Sequence, residues 1–209
     1  MIKGILFDFD GTLIDTMHYF QKIAGEVIYK YYRIPVSDGE HLYFETSGLP
    51  FEKQMEIIMP GGDYNFSVVE EFERRKLDNL FNEKFEPEVR TALQALEKRG
   101  LTLGISSGNF THLINEFLEK EQLPFPVVMG YEPGFEKGRD HFEHFLKKTG
   151  FKKEEILFVG DSIKDGERAQ EYGVRFIGKA GIFKKERFRK DFGDSQEVIE
   201  TIGELLALV

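Results

Sequence analysis

Five short apolar runs, each ending in small or polar residues and separated by amphipathic stretches, limit this chain to one class of architecture. The runs lie at residues 2–7, 101–105, 127–129, 156–159 and 174–177. Runs this short and this continuously apolar read as strands buried on both faces, as in a parallel sheet. Segments 88–99, 109–121, 138–149 and 164–172 carry apolar residues at three- and four-residue spacing, as with Leu93 and Leu96 or Leu113 and Phe117. Strand alternating with helix predicts an α/β fold with a doubly wound, Rossmann-like parallel sheet.

The pattern changes between the first run and Pro87. Residues 17–33, 51–59 and 66–85 read as amphipathic helices, with turn signals at Pro35 to Gly39 and at Pro60-Gly61-Gly62-Asp63. The expected organisation is a core domain of residues 1–15 and 86–209, interrupted after its first strand by a helical insert of residues 16–85. A chain of 209 residues with 41% apolar content can bury a core of that size beside a smaller unit.

Charge and composition narrow the partners. A formal net charge of −9 disfavours nucleic acid and anionic membrane, which a basic surface would neutralise, but does not disfavour an anionic substrate held by a metal ion. The absence of cysteine rules out disulfides, thiolate zinc sites and a cysteine nucleophile, and fits a reducing cytoplasm. No window approaches about 18 continuous apolar residues, and Asp8 interrupts the N-terminal run before a signal-peptide apolar region is complete. The expectation is a cytoplasmic monomer or homodimer with no membrane or nucleic-acid partner. Lys184, Lys185, Arg187, Arg189 and Lys190 form the one notable charge run and read as a solvated loop or helix face.

Ligands of open parallel sheets bind outside the carboxyl ends of the strands, so polar residues just past each apolar run belong together. The first run leads into Asp8-Phe9-Asp10-Gly11-Thr12, and alternation along an extended chain puts both carboxylates on one side. One carboxylate can attack a phosphoryl group while the other protonates the leaving oxygen and then activates water. Gly11 lets the chain turn away beneath the phosphate. Taken alone, Asp8 and Asp10 suit the ending of a strand and the capping of a turn equally well.

The second run leads into Ser106-Ser107-Gly108-Asn109, where a hydroxyl and backbone N–H groups at an expected helix start can receive a phosphoryl oxygen. Ser106 is preferred over Ser107 because it directly follows the run, and Ser107 or Asn109 singly suits an ordinary N-cap. Lys137, before the next helix, can neutralise both phosphate and nucleophile, although a lone lysine there is usually surface. The fourth run leads into Gly160-Asp161-Ser162-Ile163-Lys164-Asp165. Oxygen ligands from Asp8, Asp161 and a backbone carbonyl suit Mg²⁺. Converging Asp8, Asp10, Asp161 and Asp165 would otherwise repel one another and a phosphate dianion.

In this order these residues resemble the four motifs of the haloacid dehalogenase superfamily: DxDGT, a strand-ending Ser or Thr, a Lys, and GDSxxD. The resemblance spans the chain and points to the phosphatase branch with a helical cap inserted after the first motif, similar to phosphoglycolate phosphatases and β-phosphoglucomutases. It implies Mg²⁺ dependence, Asp8 as nucleophile, Asp10 as general acid/base and backbone-carbonyl metal ligand, and Ser106 and Lys137 steadying the phosphoryl group. It further implies Asp161 as a metal ligand and Asp165 as a carboxylate orienting metal-bound water or Lys137. Gly11, Thr12, Ser107, Gly108 and Asn109 are the expected phosphate-binding positions. The chain departs from the family in following Lys137 with Gly138, where proline is common.

Asp10 argues against dehalogenation and phosphonate cleavage, whose enzymes lack that acid. A β-phosphoglucomutase-like activity shares all four motifs. In the insert, Glu45-Thr46-Ser47-Gly48-Leu49-Pro50 resembles the cap loop that reaches the active site, with His18 and Lys53 as candidate substrate contacts. That loop contains no arginine to grip a second phosphate, which favours hydrolysis of a small phosphorylated metabolite, phosphoglycolate-like or sugar-phosphate-like. A signalling receiver uses similar residues, but the insert and Asp10 argue against one.

Overall fold

The computed structural model describes residues 1–80 and 83–209. In chain order, β1 (Gly4–Phe7) is followed by four helices, α1 (Met17–Tyr32), α2 (Val36–Glu45), α3 (Phe51–Ile58) and α4 (Asn65–Leu80). Then come α5 (Pro87–Lys98), β2 (Thr102–Phe110), α6 (Thr111–Glu121), β3 (Val127–Tyr131), α7 (Arg139–Thr149), β4 (Ile156–Gly160), α8 (Ile163–Tyr172), β5 (Arg175–Lys179), α9 (Lys185–Phe192) and β6 (Val198–Ile199). Among the described residues no helix is long and apolar enough to cross a membrane.

The strands form one sheet in the order β3-β2-β1-β4-β5-β6, with every pairing parallel. This is the doubly wound α/β fold expected from the sequence. All four residues of β1 are buried, which is why that run is continuously apolar rather than alternating. From β1 the chain steps outward through β2 to β3, then crosses back to β4 on the other side of β1. The winding direction therefore reverses at β1 and β4, where such sheets open a crevice at their carboxyl ends.

The chain divides into two compact units, Met1–Ile14 with Lys84–Val209, and Asp15–Glu83. In the sheet unit, Phe142, Phe145, Phe158, Phe176 and Phe188 pack with Leu6, Met129 and Ile156. Phe142 meets Phe158 edge-on at 5.3 Å between ring centres. Each such buried ring contributes about 1.5–3 kcal/mol through burial, so this layer fixes the sheet on which the crevice stands.

The helical unit has an aromatic core of its own, built on Phe72 of α4. Phe51 lies 3.9 Å from it and Tyr43 5.7 Å between ring centres. Ion pairs Lys30–Glu71 and Arg75–Glu26 join α1 to α4 on the outside.

Four elements depart from the sequence expectation. Pro35 to Gly39, read as a turn, opens helix α2, with Pro35 at its N-cap. Gly39 is there for packing: a Cβ on it would lie 3.0 Å from Gly25 Cα of α1, so the two glycines let the helices cross closely. The helix expected over 109–121 begins only at Thr111, because β2 continues past an irregularity and pairs Phe110 with Tyr131. The helix expected over 66–85 runs from Asn65 to Leu80, with residues 83–86 outside any helix and positions 81 and 82 outside the described residues. The short strand β6 had no counterpart in the sequence reading. The basic stretch 184–190 lies largely on α9, which turns Phe188 inward and keeps Arg189 and Lys190 exposed.

Candidate active site

Strand register brings the first, second and fourth sequence clusters to one level. Phe7 is aligned with Ile105 on one side and with Val159 on the other, so Asp8, Ser106 and Gly160 lie at one level across the sheet. Asp8 stays tied to the sheet edge, its N–H donating to the Val159 carbonyl at 2.8 Å. Beyond it Gly11 takes φ 76°, a conformation that favours glycine, and donates its N–H to the Ile14 carbonyl at 2.8 Å. The chain thus turns back within four residues, presenting Asp8 and Asp10 at the switch point.

Three carboxylates, Asp8, Asp161 and Asp165, are buried and offer oxygens all within 4.8 Å of one another. Lys137 enters this cluster from the loop before α7. Its Nζ lies 2.6 Å from Asp8 Oδ1 and 2.7 Å from Asp165 Oδ1. Asp165 owes its position to the start of α8. Its Oδ2 accepts from the Ser162 hydroxyl at 2.8 Å, while the Ser162 Oγ accepts the Asp165 N–H at 3.2 Å, a reciprocal cap that leaves Oδ1 facing the lysine.

The electrostatics follow from burial. Desolvation raises the Asp8 carboxyl to about 6; the Lys137 ammonium opposes this, and the charges of Asp165 and Asp10 add to it. Asp161 is likewise held well above the ordinary aspartate value, by burial first and then by the charges of Asp8 and Asp165. Burial pulls the Lys137 ammonium down, but Asp165 and Asp8 outweigh it and hold the group above the usual lysine value. One lysine thus faces three enclosed acids. Oxygen-only donors with excess negative charge, gathered this closely, fit a hard divalent cation such as Mg²⁺.

The carboxylate of Asp10 is turned to a different task. Its Oδ2 accepts from Asn109 Nδ2 at 2.6 Å, a contact between the ends of β1 and β2. Thr12 Oγ1 reaches Asp8 Oδ2 at 3.4 Å. Ser107 is buried, its Oγ accepting the Asn109 N–H at 3.0 Å, and Gly108 is exposed between them. Asn109 therefore precedes α6 by two residues, on extended chain rather than at the expected helix start.

Two residues near the cluster were not anticipated. Ser106 is fully enclosed, and its Oγ lies 2.9 Å from Nδ1 of His141, also fully enclosed, on the first turn of α7. Arg168, one turn after Asp165 on α8, brings Nη1 to 3.7 Å from Asp165 Oδ1. The available signals were spacings: His141 falls four residues after Lys137, and Arg168 three after Asp165.

Gly138 explains the departure from the family pattern. It adopts φ 119°, ψ −126°, which proline, fixed near −65°, is unable to take. The loop carrying Lys137 is thus built on glycine geometry. Within the helical unit, His18 and Lys53 are exposed on α1 and α3. The 46–50 loop is pinned by Gln54, whose Nε2 donates to the Leu49 carbonyl at 2.8 Å and whose Oε1 accepts from Thr46 at 2.9 Å.

Residues 5–179 match the haloacid dehalogenase-like hydrolase family. A pyrophosphatase of Oceanobacillus iheyensis is 30% identical over 215 residues, covering 100% of this chain and 97% of the relative. A phosphoglycolate phosphatase of Synechococcus elongatus is 26% identical over 175 residues, covering 83% of this chain and 81% of the relative. Among solved structures, a putative haloacid dehalogenase-like hydrolase from Bacteroides fragilis superposes with a TM-score of 0.80 at 25% identity, covering 98% of this chain and 100% of the other. With its parallel sheet and a buried acidic cluster at the β1/β4 switch point, the chain belongs to the haloacid dehalogenase-like hydrolase family.

Proposed function

We propose that this protein is a Mg²⁺-dependent phosphohydrolase acting on a small phosphorylated metabolite through a phospho-aspartyl intermediate on Asp8. The observation that carries this reading is the buried set of Asp8, Asp161 and Asp165 closed by Lys137. Such a set repels anions until it is neutralised, and it binds phosphate well once it is.

In this reading Asp8 attacks phosphorus and the leaving oxygen takes a proton from Asp10, which Asn109 holds at 2.6 Å. Asp10 then removes a proton from the water that cleaves the acyl phosphate. Ser106, Ser107, Gly108, Asn109 and the turn at Gly11 and Thr12 surround the transferring phosphoryl group, and Lys137 offsets its charge. Mg²⁺ held by the carboxylates of Asp8 and Asp161 and the backbone carbonyl of Asp10, with Asp165 supporting them, would supply the remaining positive charge. The helical insert of residues 16–85 serves as a cap that selects the substrate.

Phosphoglycolate-like and sugar-phosphate-like esters are the first substrates to try, and pyrophosphate belongs beside them because relatives act on one or other by name. A phosphosugar mutase would use the same core residues. The loop from Glu45 to Pro50 contains no arginine, which favours hydrolysis over a second phosphate grip.

The test is steady-state release of inorganic phosphate from a panel of such compounds, with Mg²⁺ and with a chelator, by wild type and Asp8→Asn. Metal-dependent release that the substitution abolishes supports the reading. Release from no compound, or release unaffected by Asp8→Asn, contradicts it.

A further inference from the structure

His141 is a polar residue on a face where the helix otherwise buries phenylalanines. With Phe142 and Phe145 it makes up the buried side of α7, and none of the three is exposed to solvent. Its ring packs against Phe135 at 4.7 Å between centres, and its Nδ1 meets the Ser106 hydroxyl at 2.9 Å. Nε2 is enclosed and has no hydrogen-bond partner among the described residues. A buried nitrogen left in that state costs about 1–3 kcal/mol, so an aliphatic or aromatic residue here would pack at lower cost. Buried polar groups kept at such expense point to a task.

The task follows from a count of protons. Burial drives the His141 ring down to about 3, helped by the positive charge of Lys137, while the nearby Gly130 carbonyl, which does not reach hydrogen-bond geometry with Nε2, pulls the other way. The ring is therefore neutral at physiological pH and carries one N–H. Ser106 also has one proton. If Nδ1 accepts, the hydroxyl spends its proton on histidine and has none to offer a phosphoryl oxygen. If Nδ1–H donates, the hydroxyl proton is left for the crevice, and Nε2 carries no unpaired N–H.

We propose that His141 is a positioning residue that holds the Nδ1–H tautomer, donates to Ser106 Oγ and thereby aims the Ser106 hydroxyl proton at the transferring phosphoryl oxygen. The kinetic part rests on the hydrolase reading given above; the tautomer does not. Lys137 and His141 bracket the start of α7, so one short segment sets both the charge beside the phosphoryl group and the direction of its hydroxyl donor.

The two parts are tested separately. Long-range ¹H–¹⁵N correlation spectra of the full chain, with Ser106→Ala to assign the coupling, report which ring nitrogen is protonated. A pyrrole-like Nδ1 and pyridine-like Nε2, unchanged between pH 5.5 and 8, are expected. A protonated Nε2 with a bare Nδ1 overturns the proposal whether or not the protein hydrolyses anything.

For the kinetics, Asn in His141→Asn offers an amide N–H near the place of Nδ1, while His141→Leu offers none. His141→Leu is expected to lower kcat by about 10- to 100-fold with KM changed little, and to weaken binding of orthovanadate, a mimic of the pentacoordinate transition state, more than that of inorganic phosphate. His141→Asn is expected to recover most of that loss. Equal losses in both variants, or none in His141→Leu, overturn the positioning role. A wild type without metal-dependent hydrolysis sinks the hydrolase reading and with it the kinetic part, while the spectra still decide the tautomer.

Discussion

Lys137 Nζ lies 2.6 Å from Asp8 Oδ1, a contact that closes across 129 residues of chain and is nearly enclosed on both sides. The same ammonium bridges to Asp165 at 2.7 Å. Removing it leaves Asp8 without its cation and Asp165 with only Arg168, at 3.7 Å. Lys137→Met is expected to lower phosphate release by about 10²- to 10³-fold and to destabilise the metal-free protein by about 3 kcal/mol in urea unfolding. A variant as stable as wild type would contradict the role given to this ion pair.

Asp8 links stability to pH with a definite sign. Its carboxyl rises from 3.8 to about 6 on folding, so in that window the native state keeps a proton the unfolded chain has lost. Metal-free stability therefore falls as pH rises through it, and Asp161, raised in the same direction, adds to the fall. On the proposed function Mg²⁺ binds the ionised cluster, so it should raise the thermal midpoint more at pH 7 than at pH 4.5. Asp8→Asn should flatten the slope between pH 4 and 6. Thermal unfolding with and without Mg²⁺ across that range is the check, and a Mg²⁺ effect independent of pH is the contrary result.

Restoring the family's usual proline should harm this chain. Gly138 sits at φ 119°, outside the range of proline, and the loop it shapes delivers Lys137. Gly138→Pro is expected to cost at least about 1 kcal/mol of stability and to reduce kcat by displacing the ammonium. Calorimetry and steady-state kinetics together separate these losses. Higher activity in the proline variant would contradict a loop built on glycine geometry at position 138.

Asn109 and Asp10 should behave as one unit, since Nδ2 and Oδ2 are 2.6 Å apart. Asp10→Asn should reduce turnover by about 10²- to 10⁴-fold, and Asn109→Ala by less in the same direction. The double variant should be little worse than Asp10→Asn alone. Additive losses in a double-mutant cycle would mean that Asn109 does not act through Asp10.

The legible parts of this molecule were those whose cause is local. Asp8, Asp10, Asp161 and Asp165 stood out because each follows an apolar run at a spacing that chemistry requires, and the runs themselves were visible because parallel strands are buried on both faces. Helix α2 was hidden by Gly39, whose reason is a crossing with Gly25 rather than a turn. The late start of α6 depends on Phe110 pairing with Tyr131 of β3, which nothing in residues 106–110 announces. His141 reads as one more member of a buried helix face until Ser106, 35 positions earlier, is brought beside it. Contacts between distant segments of chain carry no periodicity, so these appear only in the folded structure.

Covalent trapping of the phosphoryl group addresses the nucleophile itself. The Asp10→Asn variant, slowed in hydrolysing its intermediate, is incubated with Mg²⁺ and an aryl phosphate, whose leaving oxygen needs no proton from Asp10, then quenched, reduced with borohydride and digested. Homoserine at position 8, formed by reduction of an aspartyl phosphate, is the expected result. Aspartate intact at position 8, with label at another residue or at none while phosphate is released, would contradict a phospho-aspartyl intermediate on Asp8.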